Sequence, residues 1–169
     1  MHAAVKELGG GSLLHQTHEL NLLLWFFGLP KKLFATGGSL SYLNLEVEDS
    51  VDILLEFEKN SSKIPASVHI DYLQWPPRRV CKVIGDRSYL DFDFFKNKLT
   101  LQSNDNADSE IFSYENTSRD SMFVSAIEEF FYCIEKGKST SQDIDEGIRS
   151  MKISMAAKQS LKTGDVVYV

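Results

Sequence analysis

The clearest pattern of apolar and polar positions in this chain lies between Gly9 and Gly28. Polar side chains dominate its first turns, and apolar side chains follow at helical spacing. The pattern predicts one helix, which ends at Gly28 two residues before Pro30. We expect the aromatic run at 25–27 to lie in the core rather than to form a stacking platform. The predicted buried stripe consists of Leu13, Leu14, Leu20, Leu24 and Phe27.

Four polar side chains share one part of this predicted helix surface. His15 and His18 are three residues apart, as are His18 and Asn21, whereas His15 and Glu19 are four apart. Residues at these spacings are neighbours on a helix. We therefore expect a core helix whose polar N-terminal end is offered to a ligand.

From residue 31 to residue 114 the pattern is that of strands joined by short turns. The segment 51–59 alternates, with Val51, Ile53, Leu55 and Phe57 on one side, as in a half-buried strand. Short turns favour antiparallel pairing over crossover connections. Strands are predicted at 31–36, 51–59, 64–75, 78–84, 89–94, 99–101 and 111–114.

The period changes to that of helices from Ser118 onwards. A first helix should run to Gly137, and a second should begin after Ser141 or Asp143 and end at Gly164. Residues 166–169 are predicted to form a terminal strand. The first of these helices is expected to bury Phe123, Ile127, Phe130, Phe131 and Ile134.

These elements predict an α+β fold, a predominantly antiparallel open sheet with helices packed on one face. The length of 169 residues fits a single domain over residues 1–169. The other face of the sheet would lack a cover within this chain. A sheet face with exposed apolar side chains commonly meets another subunit, so a homo-oligomer through the open sheet face is expected.

Composition narrows the range of functions. The net charge of −6 argues against a surface that binds nucleic acid, which needs clustered Lys and Arg. The longest apolar run, at 22–29, is too short to span a membrane, and residues 1–11 lack the features of a signal peptide. Cys81 and Cys133 are far apart and fit reduced core thiols, so a cytoplasmic protein is expected.

Histidine carries the candidate chemistry, because its side chain titrates near neutral pH and can act as an acid or a base. His15, His18 and Glu19 also raise the possibility of a metal site. However, the order His-x-x-His-Glu matches neither common zinc-helix motif, so no metal ligand is assigned. The residues at 128–129, two glutamates, are expected on a solvated helix face.

With these motifs read in order, the chain resembles the C-terminal domain of the Gfo/Idh/MocA family of NAD(P)-dependent oxidoreductases. The most specific match is the Gly-Gly-Gly-Ser-Leu-Leu segment at 9–14, before a histidine-bearing helix that ends in Trp-Phe-Phe-Gly at 25–28. A second match is the strand region 69–79, followed by the short segments 83–85 and 91–93. The third match is the pair of terminal helices. Together these matches cover nearly the whole chain.

The resemblance implies a two-domain enzyme that acts on a sugar, a sugar nucleotide or a cyclic polyol. Its NAD or NADP would be bound mainly by a Rossmann domain, which is the expected partner together with the small-molecule substrate. That domain carries a Gly-rich dinucleotide turn and a lysine in a Glu-Lys-Pro segment, and this sequence contains neither. Gly9–Gly11 lack the preceding strand and the glycine spacing of such a turn, so no cofactor-binding residue is assigned.

The resemblance also implies roles for individual residues. His18 matches the histidine that serves as acid/base for the hydroxyl being oxidised. His15 and Asn21 stand where close relatives often have aspartates, and Glu19 is a possible substitute for them. Together with Tyr72, these three residues are the candidates for substrate binding. Asp71, Arg78 and Arg79 are weaker candidates, because salt bridges and subunit contacts explain surface residues of a sheet more readily.

Three hypotheses remain open at this point. The chain is the substrate-binding and oligomerising half of a sugar-type oxidoreductase, inactive alone, or it is a non-catalytic assembly module of the same origin. The third hypothesis, a metal-dependent hydrolase that uses His15 and His18, requires stoichiometric zinc.

Overall fold

The computed structural model describes residues 2–105, 108–114 and 119–169. They form two compact units. The first comprises the residues up to Leu73 together with Gln142–Val169, and the second runs from Gln74 to Ser141. Each unit contains one four-stranded antiparallel sheet. The α+β class and the antiparallel pairing predicted from the sequence are confirmed.

The first unit contains sheet A, which consists of β1 (Lys32–Gly38), β2 (Ser50–Lys59), β3 (Ser62–Asp71) and β8 (Val167–Tyr168). The strand order in the sheet is β3-β2-β1-β8. Its ladders are antiparallel, and Asp52 on β2 lies opposite His69 on β3 and Thr36 on β1. The terminal strand predicted at 166–169 is present as the edge strand β8.

Three helices of the first unit build the core with the inner face of sheet A. They are α1 (Ser12–His15), α2 (Thr17–Phe27) and α4 (Ile144–Thr163). Two short 3-10 turns, His2–Ala4 and Lys6–Leu8, precede them. The predicted alternation of β2 is confirmed, because every second residue is buried. The buried core cluster includes Leu13, Leu20, Leu24, Leu33, Val51, Ile53, Leu55, Phe57, Ile70 and Ile153.

Two expectations about the first helix are wrong. The segment 12–27 is not one helix, since Gln16, with φ −112° and ψ 39°, separates α1 from α2. Trp25 is not a core residue, because 72% of its surface is exposed. Phe27 does pack against the core cluster. The end of α2 at Gly28, which has a positive φ of 78°, agrees with the sequence.

The second unit contains sheet B, with the strand order β4-β5-β6-β7. The strands are β4 (Val80–Ile84), β5 (Ser88–Asp93), β6 (Lys98–Ser103) and β7 (Ser109–Ser113). The helix α3 (Arg119–Lys136) ends before Gly137, as predicted. Its predicted burial is not observed, because its five stripe residues are 53 to 61% exposed. Apolar residues that repeat every 3.6 residues predict a helix, but they are buried only if another surface packs against them.

Candidate functional site

The glycine segment before α1 is shaped by contacts inside the chain. The Gly10 and Gly11 amides donate to the carbonyls of Val5 and Ala3 at 2.9 and 3.0 Å. A 3-10 turn rather than a strand precedes them. These amides are therefore already paired within the chain and do not point into a cradle for a pyrophosphate.

Glu48 packs against the same glycine segment and was missed by the sequence analysis. Its Oε1 accepts from the Leu13 amide at 3.3 Å and lies 3.8 Å from Nζ of Lys158. A Cβ on Gly11, whose φ is +111°, would overlap this carboxylate. Glu48 thus fixes the start of α1 and explains why residue 11 is glycine. Glu48 lies in the segment 43–48, where apolar and polar residues alternate. That local pattern gives no sign that its carboxylate pairs with an amide 35 residues away.

His18, the predicted catalytic residue, lies in the first turn of α2. Its Nε2 is 3.0 Å from Oε1 of Glu19, and 53% of the histidine side chain is exposed, against 19% of the glutamate side chain. If Nε2–H donates to Glu19, Nδ1 carries the lone pair that can accept a proton. The His18–Glu19 pair can therefore present a base whose ring is oriented by a carboxylate.

His15 and Tyr72 form a second contact, from the end of α1 to the residue after β3. Their ring centroids are 6.1 Å apart, with an interplanar angle of 69°. The ring centroid of His2 also lies 5.6 Å from that of His15. Asn21 forms a third contact, since its Nδ2 donates to Oε1 of Gln142 at 3.1 Å. The contacts thus group the predicted site residues into separate pairs rather than one network.

The phenol of Tyr72 and the hydroxyl of Ser12 are the buried side-chain hydroxyls without a hydrogen-bond partner among the described residues. Burial, together with the negative charge of Glu48, raises the pKa of Tyr72 to about 12. The hydroxyl is therefore a neutral donor at physiological pH, and an incoming oxygen atom could accept its hydrogen bond.

Of the weaker candidates, Asp71 and Arg79 have structural partners, and Arg78 is exposed. Asp71 lies against His69, and the guanidinium of Arg79, in the second unit, stacks 4.1 Å from the centre of the Phe94 ring. No group of three or more His, Cys, Asp or Glu that could hold a metal occurs in the described parts of the chain. Cys133 is buried and Cys81 is half-buried, so the core position expected for both cysteines holds for Cys133 alone of the two. None of the described helices is long and apolar enough to cross a bilayer.

Solved structures share this fold at low sequence identity. Levoglucosan dehydrogenase in complex with NADH and levoglucosan matches with a TM-score of 0.88 and 16% identity over 100% of this chain and 53% of its own. An NAD binding oxidoreductase from Klebsiella pneumoniae has a TM-score of 0.84 and 15% identity, covering 100% and 54%. UDP-N-acetylglucosamine 3-dehydrogenase from Acidithiobacillus ferrooxidans has a TM-score of 0.74 and 18% identity, covering 89% and 47%.

This chain thus spans about half the length of the structures that it resembles. A search of proteins with curated functions finds no match. A family model described as the oxidoreductase family, C-terminal alpha/beta domain, matches residues 3–169. Because that match covers nearly all of the sequence, the chain belongs to the Gfo/Idh/MocA oxidoreductase family, as a C-terminal alpha/beta domain.

Proposed function

We propose that this chain is the substrate-binding and oligomerising half of an NAD(P)-dependent oxidoreductase that acts on a sugar, a sugar nucleotide or a cyclic polyol. The observation that carries the proposal is the exposed His18 imidazole paired with Glu19 at the start of α2. The family match over residues 3–169 supports this assignment. The expected single domain over residues 1–169 remains part of the proposal.

The chemistry assigned to this chain is the handling of a proton. Oxidation of a secondary alcohol releases the hydroxyl proton, and His18 accepts it at Nδ1 while Glu19 holds Nε2. NAD or NADP would supply the hydride acceptor and would be bound mainly by a Rossmann domain, because Gly9–Gly11 do not form a phosphate cradle. The chain alone is therefore expected to be inactive.

Around His18, three residues are proposed to contact the substrate. Asn21 lies one turn further along α2, and its amide is a donor that can pair with a sugar hydroxyl. Tyr72 offers a buried hydroxyl without a partner among the described residues, and His15 packs against its ring. A polyhydroxylated substrate provides several oxygen atoms that such donors can bind.

The open face of sheet A supports the assembly role. Leu54 points away from the core and is 60% exposed. Together with Phe34, Pro65 and Val166 it lines a shallow groove of about 390 Å³, which Lys32, Glu56 and Lys63 flank. A second copy that covers this face would bury the apolar side chains and keep the charged ones at the rim.

The test is turnover by the assembled enzyme that contains this chain and its dinucleotide-binding half. His18→Ala should lower kcat by roughly 10²- to 10⁴-fold, which is the usual contribution of a general acid/base. Added imidazole should restore part of the rate, because the missing group is a proton acceptor. Asp91→Asn, which removes a carboxylate from the exposed Lys82–Asp91 pair of sheet B, should leave kcat unchanged.

Unchanged turnover in His18→Ala would refute the role of His18 and favour the second candidate, a non-catalytic assembly module. That candidate is motivated by His15 and Asn21, which contact Tyr72 and Gln142 instead of supplying carboxylates beside His18. Both candidates predict an oligomer by light scattering. Tight dinucleotide binding by the 169-residue chain in calorimetry would contradict both.

A further inference from the structure

His69 lies between two carboxylates on the open face of sheet A. Its Nδ1 is 2.9 Å from Oδ1 of Asp52, the cross-strand neighbour on β2, and its Nε2 is 3.1 Å from Oδ2 of Asp71. A neutral imidazole has one N–H, so it can donate to only one of these oxygens. Both contacts are hydrogen bonds only when the ring is protonated. The arrangement therefore describes an imidazolium that bridges two carboxylates.

Among the described residues, the charged groups that act on this ring are the carboxylates of Asp52 and Asp71. The hydrogen bond to Asp52 raises the pKa of His69 above its ordinary value, against the lowering effect of burial, and the charges of Asp52 and Asp71 act in the same direction. On the far side of Asp52, the residue opposite it on β1 is the uncharged Thr36. β3 is the edge strand of sheet A, so no further strand of that sheet faces His69.

Asp71 connects this cluster to the candidate site. Its Oδ1 accepts from the Leu73 amide at 2.6 Å, and its backbone carbonyl accepts from Nε2 of Gln16 at 3.3 Å. Gln16 is the junction between α1 and α2, and it separates His15 from the helix that carries His18. Tyr72, the residue after Asp71, lies edge-on against His15. Asp71 and its neighbour Tyr72 thus contact the α1–α2 junction and the last residue of α1.

We propose that Asp52, His69 and Asp71 form a protonation-dependent clamp that sets the position of residues 71–73 and thereby of Tyr72 against His15. In the protonated state, the imidazolium neutralises one of the two carboxylates and holds β2 and the end of β3 together. When the proton leaves to solvent, one carboxylate loses its donor, and two like charges face each other without a cation between them. Residues 71–73 then lose a constraint.

This coupling regulates the substrate-binding side of the site, and its functional meaning rests on the proposed function. The clamp itself can be tested without turnover, because the chain contains four histidines whose ring signals can be followed separately. We would label the histidines with ¹³C and ¹⁵N and titrate the 169-residue chain by NMR. Single His→Gln variants would assign the signals.

The expected result is that His69 titrates at a higher pH than in Asp52→Asn, where one carboxylate is lost. The ring signal of His15 should show an additional inflection at the His69 midpoint, and His69→Gln should abolish that inflection. In Asp52→Asn, the additional inflection of the His15 signal should shift to the new titration midpoint of His69. This movement separates the clamp from His2, which also lies against His15.

Asp91→Asn is the matched control, since it removes a carboxylate from an exposed cross-strand pair in sheet B, and it should leave both midpoints unchanged. A His15 signal that stays flat through the His69 titration, or an inflection that persists in His69→Gln, would overturn the proposal. The turnover of His18→Ala is independent of these signals. The clamp and the proposed function can therefore fail separately.

Discussion

The helices α3 and α4 have similar lengths, 18 and 20 residues, but opposite patterns of burial. The more apolar helix, α3, exposes more than half of each of its large apolar side chains along 122–134. The less apolar helix, α4, packs on β1 and the helices α1 and α2. It does so with mostly small residues, namely Ser150, Ile153, Ser154, Ala156, Ala157 and Ser160.

This difference shows that apolar content alone does not decide which helix is buried. Small side chains let the α4 backbone approach sheet A closely, and one large residue, Ile153, fills the remaining space without exposure. Because α3 carries so many exposed apolar side chains, it is a candidate interaction surface. Substitutions at equivalent residue types in the two units can test this comparison.

The largest expected effect is the loss of Ile153. Ile153→Ala should lower the free energy of unfolding by about 2 to 5 kcal/mol, because it leaves a cavity among fully buried side chains. The matched change in α3, Ile134→Ala, should alter it by less than about 0.5 kcal/mol, since that side chain is 61% exposed. Urea unfolding of the two variants measures both values. Equal losses would contradict the comparison, because they would mean that α3 also buries its apolar face.

The next effect concerns a buried carboxylate of the first unit. Asp49 is fully buried, and its oxygens accept from the amides of Leu40 and Ser41 at 2.9 and 3.2 Å and from the Ser41 hydroxyl at 2.5 Å. Burial alone would raise the pKa of Asp49, but these hydrogen bonds outweigh it and hold the pKa below its ordinary value of 3.8. Asp49→Asn should cost about 1.5 to 3 kcal/mol at neutral pH, as expected for hydrogen bonds to a charged group.

The pH dependence of this loss has a definite sign. Because the folded-state pKa is lowered, the stabilisation is fully present above the unfolded-state pKa and disappears as the pH falls through the folded-state pKa. The stability difference between wild type and Asp49→Asn should therefore shrink below about pH 4. Asp93 also has a lowered pKa, caused chiefly by the Lys96 amide, but it lies at a turn of the second unit. Asp93→Asn should lower the free energy of unfolding by less than Asp49→Asn does. Equal losses in the two variants would contradict this prediction.

Local patterns predicted the elements of both units well. The alternation in β2 was sufficient because one face of that strand lies on the core, and the glycines at 28, 137 and 164 mark helix ends through their positive φ angles. The antiparallel order followed from the short turns. Asp143 accepts from the Glu146 amide at 3.0 Å, so the predicted start of α4 is confirmed as a side-chain cap.

Contacts between distant residues explain what the sequence did not predict. The break at Gln16 accompanies a hydrogen bond to the carbonyl of Asp71, 55 residues away. Glu48 is 35 residues from Leu13, whose amide it pairs. The exposure of Trp25 depends on which surfaces surround α2 rather than on its own hydrophobicity. Helix spacing predicted that His15 and His18 would be neighbours, but His15 contacts Tyr72, 57 residues away, whereas His18 pairs with Glu19, the next residue in the chain.

The smallest expected effect tests the polar side of α4 packing. Ser160 is fully buried, and its Oγ accepts from the Ala35 amide of β1 at 2.9 Å and donates to the Asp165 carbonyl at 2.6 Å. Ser160→Ala leaves a buried amide without a partner, so the free energy of unfolding should fall by about 1 to 3 kcal/mol.

Ser154→Ala is the matched control in the same helix. The Ser154 hydroxyl is equally buried but donates only to the Ser150 carbonyl, one turn earlier in α4, at 3.3 Å. That carbonyl is part of the hydrogen-bonded backbone of α4, so it is not left without a partner. Because alanine is a better helix former than serine, its gain in helix propensity should nearly cancel the loss of the Ser154 hydrogen bond. Hydrogen exchange of the Ala35 amide should speed up in Ser160→Ala and not in Ser154→Ala. Equal protection in both variants would show that closeness of packing alone, without the hydroxyl bridge, joins α4 to sheet A.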